Sequence, residues 1–176
     1  MRVLIVQDYK ENRRKCSLTP LEGREGFTFL RLRNPSRSPS EVEIPGGVLL
    51  HIGGPTLALS DSELVIEGHL VVVDSTWARV PRVLDRLKVE RGGRLERRSL
   101  PAGFVTAYPR KSKLYNDPSS GLASVEALFV ALFLLGDPQP DLLRHYRWAG
   151  EFLSHNLHMF RTLCPNHEPS WCFRRE

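Results

Sequence analysis

The stretch Leu70 to Val80, LVVVDSTWARV, ends an unbroken apolar run on an aspartate and follows it three residues later with a tryptophan. Asp74 offers a carboxylate that can take up a proton or hold an amino group, and Trp77 offers a π-face that attracts a cation. Ser75 and Thr76 add hydroxyls between them. If the apolar run is a strand of an open α/β sheet, these residues stand beyond its carboxyl end, where such sheets bind their ligands. The same residues also fit a plainer use, with Asp74 or Ser75 capping the next helix and Trp77 filling core, and pattern alone favours that use.

Other constellations carry less chemistry. His155, His158, Cys164, His167 and Cys172 in HNLHMFRTLCPNHEPSWC have zinc-ligand types. Their spacing is imperfect, because His155 and His158 lie one turn apart on a helix while Cys164-x-x-His167 follows in a tail, so an ordinary C-terminus is the better reading and no metal is expected. Cys16 has no histidine near it in sequence, which argues against a thiolate nucleophile. GGPTLALS lacks the lysine and the helix opening of a phosphate loop, so nucleoside triphosphate chemistry is not expected.

The elements that must position Asp74 follow from periodicity. RVLIVQ and GFTFLRLR read as strands joined by the basic, turn-prone DYKENRRKCSLTPLEG; NPSRSPSEVEIPGG reads as a connection, and GVLLHI as a further strand. LSDSELVIEG predicts a short helix capped by Ser60, and HLVVVD a strand buried on both faces. Val80, Val83, Leu84 and Leu87 fall at helical spacing, with Arg79, Arg82 and Arg86 opposite. RRSLPAGFVTAYP predicts another strand, RKSKLYNDPSSG a polar loop, and ASVEALFVALFLLG an apolar helix stopped by Gly136. One long helix is expected over QPDLLRHYRWAGEFLSHNLHMFRTL. Strands alternating with helices make the chain α/β, with residues 1–68 a strand-rich lobe and residues 69–176 a second lobe.

Bulk properties set the partner class. At 176 residues, 41% hydrophobic and 26% charged, the chain can bury a core and is neither disordered nor fibrous. No apolar run approaches the roughly 18 residues of a membrane span, the apolar start is too short for a signal peptide, and three cysteines make no disulfide framework, so a cytoplasmic protein without membrane contact is expected. The net charge of +5 is unevenly spread: residues 1–40 hold nine Lys/Arg against four Asp/Glu, and residues 79–98 hold eight against three. Residues 108–117 add three against one. Three basic segments folded side by side would make a face for a polyanion such as nucleic acid, although arginine-rich solvated surfaces look the same.

Five motifs in order, DYKENRRKCSLTPL, VVVDSTWARV, SLPAGFVTAYP, GLASVEALFVALFLLG and DLLRHYRWAGEFLSHN, closely resemble those of the SPOUT-like ribosomal RNA aminocarboxypropyltransferases. That family has a strand ending in Asp-x-x-Trp, a Leu-Pro before the next strand, a Leu-Ser-Thr/Cys-x-Glu-Ala helix start and a late aromatic-x-Trp-Gly-x-x-Phe-Leu helix. The DTW-domain proteins, which modify tRNA uridine similarly, share the DSTW and the Glu-Ala helix; the Trp148 helix and the lack of the DTW cysteine cluster favour the ribosomal branch. This sequence departs from the family at Leu50-His51-Ile52 and Leu122-Ala123-Ser124, in a longer loop after Tyr108, and in lacking a His-Cys-Asp-Pro near Lys10.

The resemblance implies a trefoil-knotted sheet flanked by helices, with S-adenosylmethionine bound in the knot. It places Leu50, Ile52, Trp77, Leu100, Leu122 and Ala127 around that cofactor, Ser17 and Ser124 on its ribose or amino-acid part, and Asp74 nearest the reacting end, as base or as holder of the amino group. Lys10, Arg13, Arg14, Lys15 and Arg79 fall where RNA phosphates would be positioned. The implied reaction moves a 3-amino-3-carboxypropyl group to a uridine-type base, most directly in small-subunit rRNA; a monomer is expected, although relatives of this class include both dimers and monomers. The alternatives are a tRNA-uridine aminocarboxypropyltransferase, a SPOUT-like RNA methyltransferase, and a non-enzymatic RNA-binding ribosome-assembly module that Ile52 and Ala123 keep open.

Overall fold

The computed structural model of the chain describes residues 1–14, 16–36, 41–109 and 121–163. Its strands are β1 (Val3–Gln7), β2 (Phe27–Arg31), β3 (Val42–Ile44), β4 (Gly47–Leu50), β5 (His69–Asp74), β6 (Leu87–Val89) and β7 (Leu95–Arg98). Its α-helices are α1 (Ser62–Glu67), α2 (Val80–Leu84), α3 (Ser124–Leu134) and α4 (Ala149–Leu163).

Five strands form one sheet in the order β2-β1-β5-β4-β7, every neighbouring pair parallel. β1 and β5 are apolar at nearly every position because both of their faces are covered, which is why neither alternates polar with apolar. Val3, Ile5, Val48, Leu70 and Val72 face the larger core, which α3, α4 and Val65 of α1 close. Leu4, Val6, Leu49 and Val71 point the other way and meet Ile44, Val83 and the side of the small parallel pair β3–β6. The result is an α/β protein in layers, with a parallel sheet between a helical layer and a thinner one. Phe129 of α3 packs edge to face on Phe152 and Phe160 of α4, at centroid distances of 6.3 and 5.8 Å. Burial of each such ring contributes roughly 1.5–3 kcal/mol before the added edge-to-face attraction.

Two glycines let the central strands approach. Gly47 opens β4 at φ +132°, and a Cβ there would lie 2.1 Å from the carbonyl oxygen of His69. A Cβ on Gly68, just before β5, would lie 2.2 Å from the carbonyl oxygen of Gly46.

Several elements differ from the sequence expectation. α1 is preceded by a 3-10 turn, Leu59–Asp61, and the carboxylate of Asp61, not Ser60, takes the amide of Ala58 at 2.9 Å. α2 stops at Leu84 and Leu87 begins β6, since the chain must turn to pair Leu87 with Val42. β3 lies inside the segment read as connection. The strand expected in RRSLPAGFVTAYP is β7 at Leu95–Arg98, upstream of the apolar residues, which form a loop held by side chains. The expected long last helix is broken: a 3-10 turn, Pro140–Leu143, and further turns precede α4, and the break lets Tyr146 turn its phenol inward to Glu126, 2.9 Å away. The polar loop RKSKLYNDPSSG lies almost wholly outside the described residues, as do Cys164, His167 and Cys172.

Candidate active site

All five sheet strands end on one side, so Gln7, Leu50 and Asp74 share an edge. The chain leaves β1 for β2 on one flank and leaves β5 for β7 on the other, which makes the β1/β5 boundary the place where connections part and ligands are bound in open α/β sheets. There Gln7 lies opposite Asp74 in register.

Asp74 is 5% exposed and accepts three side-chain hydrogen bonds. Gln7 Nε2 donates to Oδ2 at 3.1 Å, the Cys16 thiol donates to Oδ2 at 2.9 Å, and Ser124 Oγ donates to Oδ1 at 2.9 Å. The 3-10 turn that follows, Trp77–Arg79, has no side-chain cap. Asp74 and Ser75 therefore do not cap it; Ser75 Oγ instead donates to Asp8 Oδ2 at 3.0 Å. Burial, with the Asp74 charge, pushes the Cys16 thiol up to about 12, so it stays protonated and serves as a donor, not a nucleophile. Glu11, half-buried beside the same group, is also pushed up, by burial first and the Asp74 charge second, against the pull of Arg79.

Of the expected cofactor residues, Ser124, the first residue of α3, meets this carboxylate directly, and Ser17 adjoins Cys16. Leu50, at the end of β4, and Leu100 and Leu122 are partly buried against the helix-side core. Trp77 is half-buried and belongs to neither core cluster, so it does not fill core. Ala127 is half-buried on α3, and Ile52 is 39% exposed.

The basic residues divide. Lys10 and Arg14 are exposed, and Arg13 is exposed but paired with Glu22. Arg79 is partly buried and ion-paired to buried Asp8, so it braces the loop after β1 more than it presents charge. Lys15 lies outside the described residues. Arg86 Nη1 donates to the carbonyl of Arg33 at 2.9 Å, bringing the basic segment 79–98 beside the first one; most of the third lies outside the described residues. An open groove along edge strand β2 is lined by Arg13, Glu22, Gly23, Phe27, Phe29 and Arg31. Arg31 Nη2 reaches Gln7 Oε1 at 2.7 Å, so Gln7 links this groove to Asp74.

Sequence reasoning passed over Gln7, Asp8, Tyr146 and Asn156 as site residues. Gln7 did carry a signal, since it ends an apolar run as Asp74 does. Glu126 carried a stronger one as the lone charge in SVEALFVALFL, and it is fully buried. Among the described residues, no group of three or more His, Cys, Asp or Glu could hold a metal ion.

Residues 48–169 match the family described as "Ribosome biogenesis protein, C-terminal". Among solved structures, the chain is similar to the SAM-dependent rRNA:acp-transferase Tsr3 from Vulcanisaeta distributa, with 25% identity, a TM-score of 0.66, and coverage of 96% of this chain and 85% of that one. A search of curated proteins returned no match. The family match runs from β4 through α4 and takes in Asp74, Trp77, Glu126 and Asn156, and the chain belongs to the ribosome biogenesis protein family defined by that C-terminal region.

Proposed function

We propose that this chain transfers the 3-amino-3-carboxypropyl group of S-adenosylmethionine to a uridine-type base of ribosomal RNA, with small-subunit RNA the first candidate, and releases methylthioadenosine. The observation that carries this is the likeness, over 96% of the chain, to an rRNA:acp-transferase described as SAM-dependent. The residue types suit the cofactor: a buried carboxylate at Asp74, a half-buried Trp77 ring outside both cores, and partly buried Leu50, Leu100 and Leu122 could together enclose a sulfonium with an amino-acid tail.

When bound, S-adenosylmethionine supplies an electrophilic side-chain γ-carbon to a ring nitrogen of the base. The protein's task is to present that carbon and shield the methyl group, so the apolar wall of Leu50, Ile52, Trp77, Leu100, Leu122 and Ala127 acts as a selectivity device. Trp77 faces the positive sulfonium. Ser17 and Ser124 hold the ribose or amino-acid part. Asp74, with three donors on its two oxygens, keeps a remaining acceptor position for either the cofactor's amino group or the proton of the base. Lys10, Arg13, Arg14, Lys15 and Arg79 position RNA phosphates or brace the loop that does. In this reading residues 1–68 carry the basic RNA-facing segment and residues 69–176 form the trefoil-knotted lobe with most of the cofactor contacts, joined by Ser17, Leu50 and Ile52 from the first segment, and the protein works as a cytoplasmic monomer.

The deciding test incubates the protein with S-adenosylmethionine and ribosomal RNA and identifies the released nucleoside. Methylthioadenosine with a mass gain of one aminocarboxypropyl group on rRNA is expected. S-adenosylhomocysteine would replace this reading with a methyltransferase, and acceptance of tRNA alone would move the substrate.

A further inference from the structure

The loop between β7 and α3 starts at Ser99, which is bridged to Thr56, but no strand pairing holds its described part beyond that residue. Side chains do. Glu126 is fully buried, and its two oxygens accept four hydrogen bonds, none from a cation. Oε2 takes Thr106 Oγ1 at 2.6 Å and the amide of Ala123 at 2.8 Å; Oε1 takes the amide of Ala107 at 3.0 Å and the Tyr146 hydroxyl at 2.9 Å. One carboxylate thus ties the loop to the first turn of α3, whose Ser124 touches Asp74, and to the turn before α4.

A second buried side chain grips the same loop from α4. Asn156 Oδ1 accepts the amide of Val105 at 2.7 Å, while its Nδ2 donates at 2.7 Å to the carbonyl of Val105. Phe104 packs on Phe160 at 5.3 Å, and Tyr108 stands edge-on to Trp148 at 5.0 Å. Val105 is 53% exposed, so its own side chain adds little to the burial that Phe104 and Ala107 supply on either side, and Asn156 holds its backbone polar groups.

We propose that Glu126 is a positioning residue that, together with Asn156, holds loop 104–108 and the start of α3 in one fixed arrangement, so that the cofactor pocket is preformed before S-adenosylmethionine arrives. This rests on the functional reading above for the identity of the ligand. All four partners of Glu126 donate, and a carboxylate is acceptor-only; an amide in its place would turn an NH2 group toward two donors. Glu126→Gln is therefore not a neutral exchange.

The experiment measures S-adenosylmethionine affinity by calorimetry without RNA, alongside amide hydrogen exchange at residues 105–108 without cofactor. Glu126→Gln should weaken binding by about tenfold or more, as the loss of a buried hydrogen bond would, and accelerate exchange at those amides. Thr106→Val and Tyr146→Phe each remove one donor, keep the fold, and should weaken binding severalfold, raising KM for the cofactor while kcat at saturation changes little. If Glu126→Gln does not fold, these two variants decide. Folded variants with affinity within twofold of the parent and unchanged exchange at 105–108 would overturn the assignment. Failure of the parent protein to bind S-adenosylmethionine would remove the functional reading, and the loop assignment would then stand or fall on the exchange data alone.

Discussion

Asp74 is held by donors from three separate parts of the chain, namely Gln7 at the end of β1, Cys16 in the loop beyond it and Ser124 at the head of α3. Removing the carboxylate leaves those donors unpaired in a buried place, so Asp74→Ala should lower stability by about 1–3 kcal/mol and turnover by at least about 10²-fold. Trp77 lies outside both cores, so Trp77→Ala should leave the melting temperature nearly unchanged while weakening S-adenosylmethionine binding about tenfold. Normal turnover in both variants would mean the pocket is elsewhere. Cys16 sets a pH dependence. Its folded pKa of about 12 is above the ordinary thiol value of 9.0, so the stability it contributes is full below pH 9 and falls as pH rises from 9 toward 12. Denaturant midpoints should decline across that window, and Cys16→Ala should flatten the decline. Asp74 and Trp77 stand out in the sequence because an apolar run stops at them, but pattern alone favours a cap and a core aromatic there, and Ser124 comes only from the family resemblance. The bond from the Cys16 thiol to Asp74 was not legible, since it depends on how the loop after β1 folds back across β5.

At the level of elements, β1, β4, β5 and α3 follow directly from apolar runs, because burial leaves little room for other residues, and the half-buried edge strand β2 follows from its mixed apolar and polar run. β7 was misplaced for the opposite reason. Leu95–Arg98 is a mostly polar edge strand, with Arg98 ion-paired to Asp61 at 2.8 Å, whereas the more apolar residues after Ser99 are held by Glu126 and Asn156 and not by strand pairing. The expected last helix is longer than α4 because Leu142, Leu143 and Tyr146 keep a helical spacing through a turn they do not continue. The β4–β5 junction gives the sharpest element-scale prediction. Gly47→Ala should destabilise the protein by about 2 kcal/mol or more, since the new Cβ meets the His69 carbonyl and the φ of +132° is strained for any L side chain. A control change at Gly23, where φ is +82° but nothing lies within 4 Å of a Cβ, should cost less in the same denaturation assay.

For the whole molecule, the net charge of +5 understates the basic character of the first 40 residues and of residues 79–98, which the Arg86–Arg33 contact brings together. Binding to single-stranded ribosomal RNA segments should weaken linearly in log-log plots against salt, with about 0.7 in slope for each phosphate contact. Lys10→Ala with Arg14→Ala should reduce that slope by about 1.4, and an unchanged slope would exclude these two exposed residues from the contact. The strand order carries a different consequence, for synthesis. β5 sits between β1 and β4 although it is made after both, and β7, the other neighbour of β4, is made later still. Until residue 74 has emerged, β1 has an open edge and β4 has no neighbour in the five-stranded sheet, so the nascent chain cannot lock its register in the order in which it is translated. The first two-fifths of the protein should remain protease-sensitive on an arrested ribosome and become protected together, in one late step, once β5 and β7 are available.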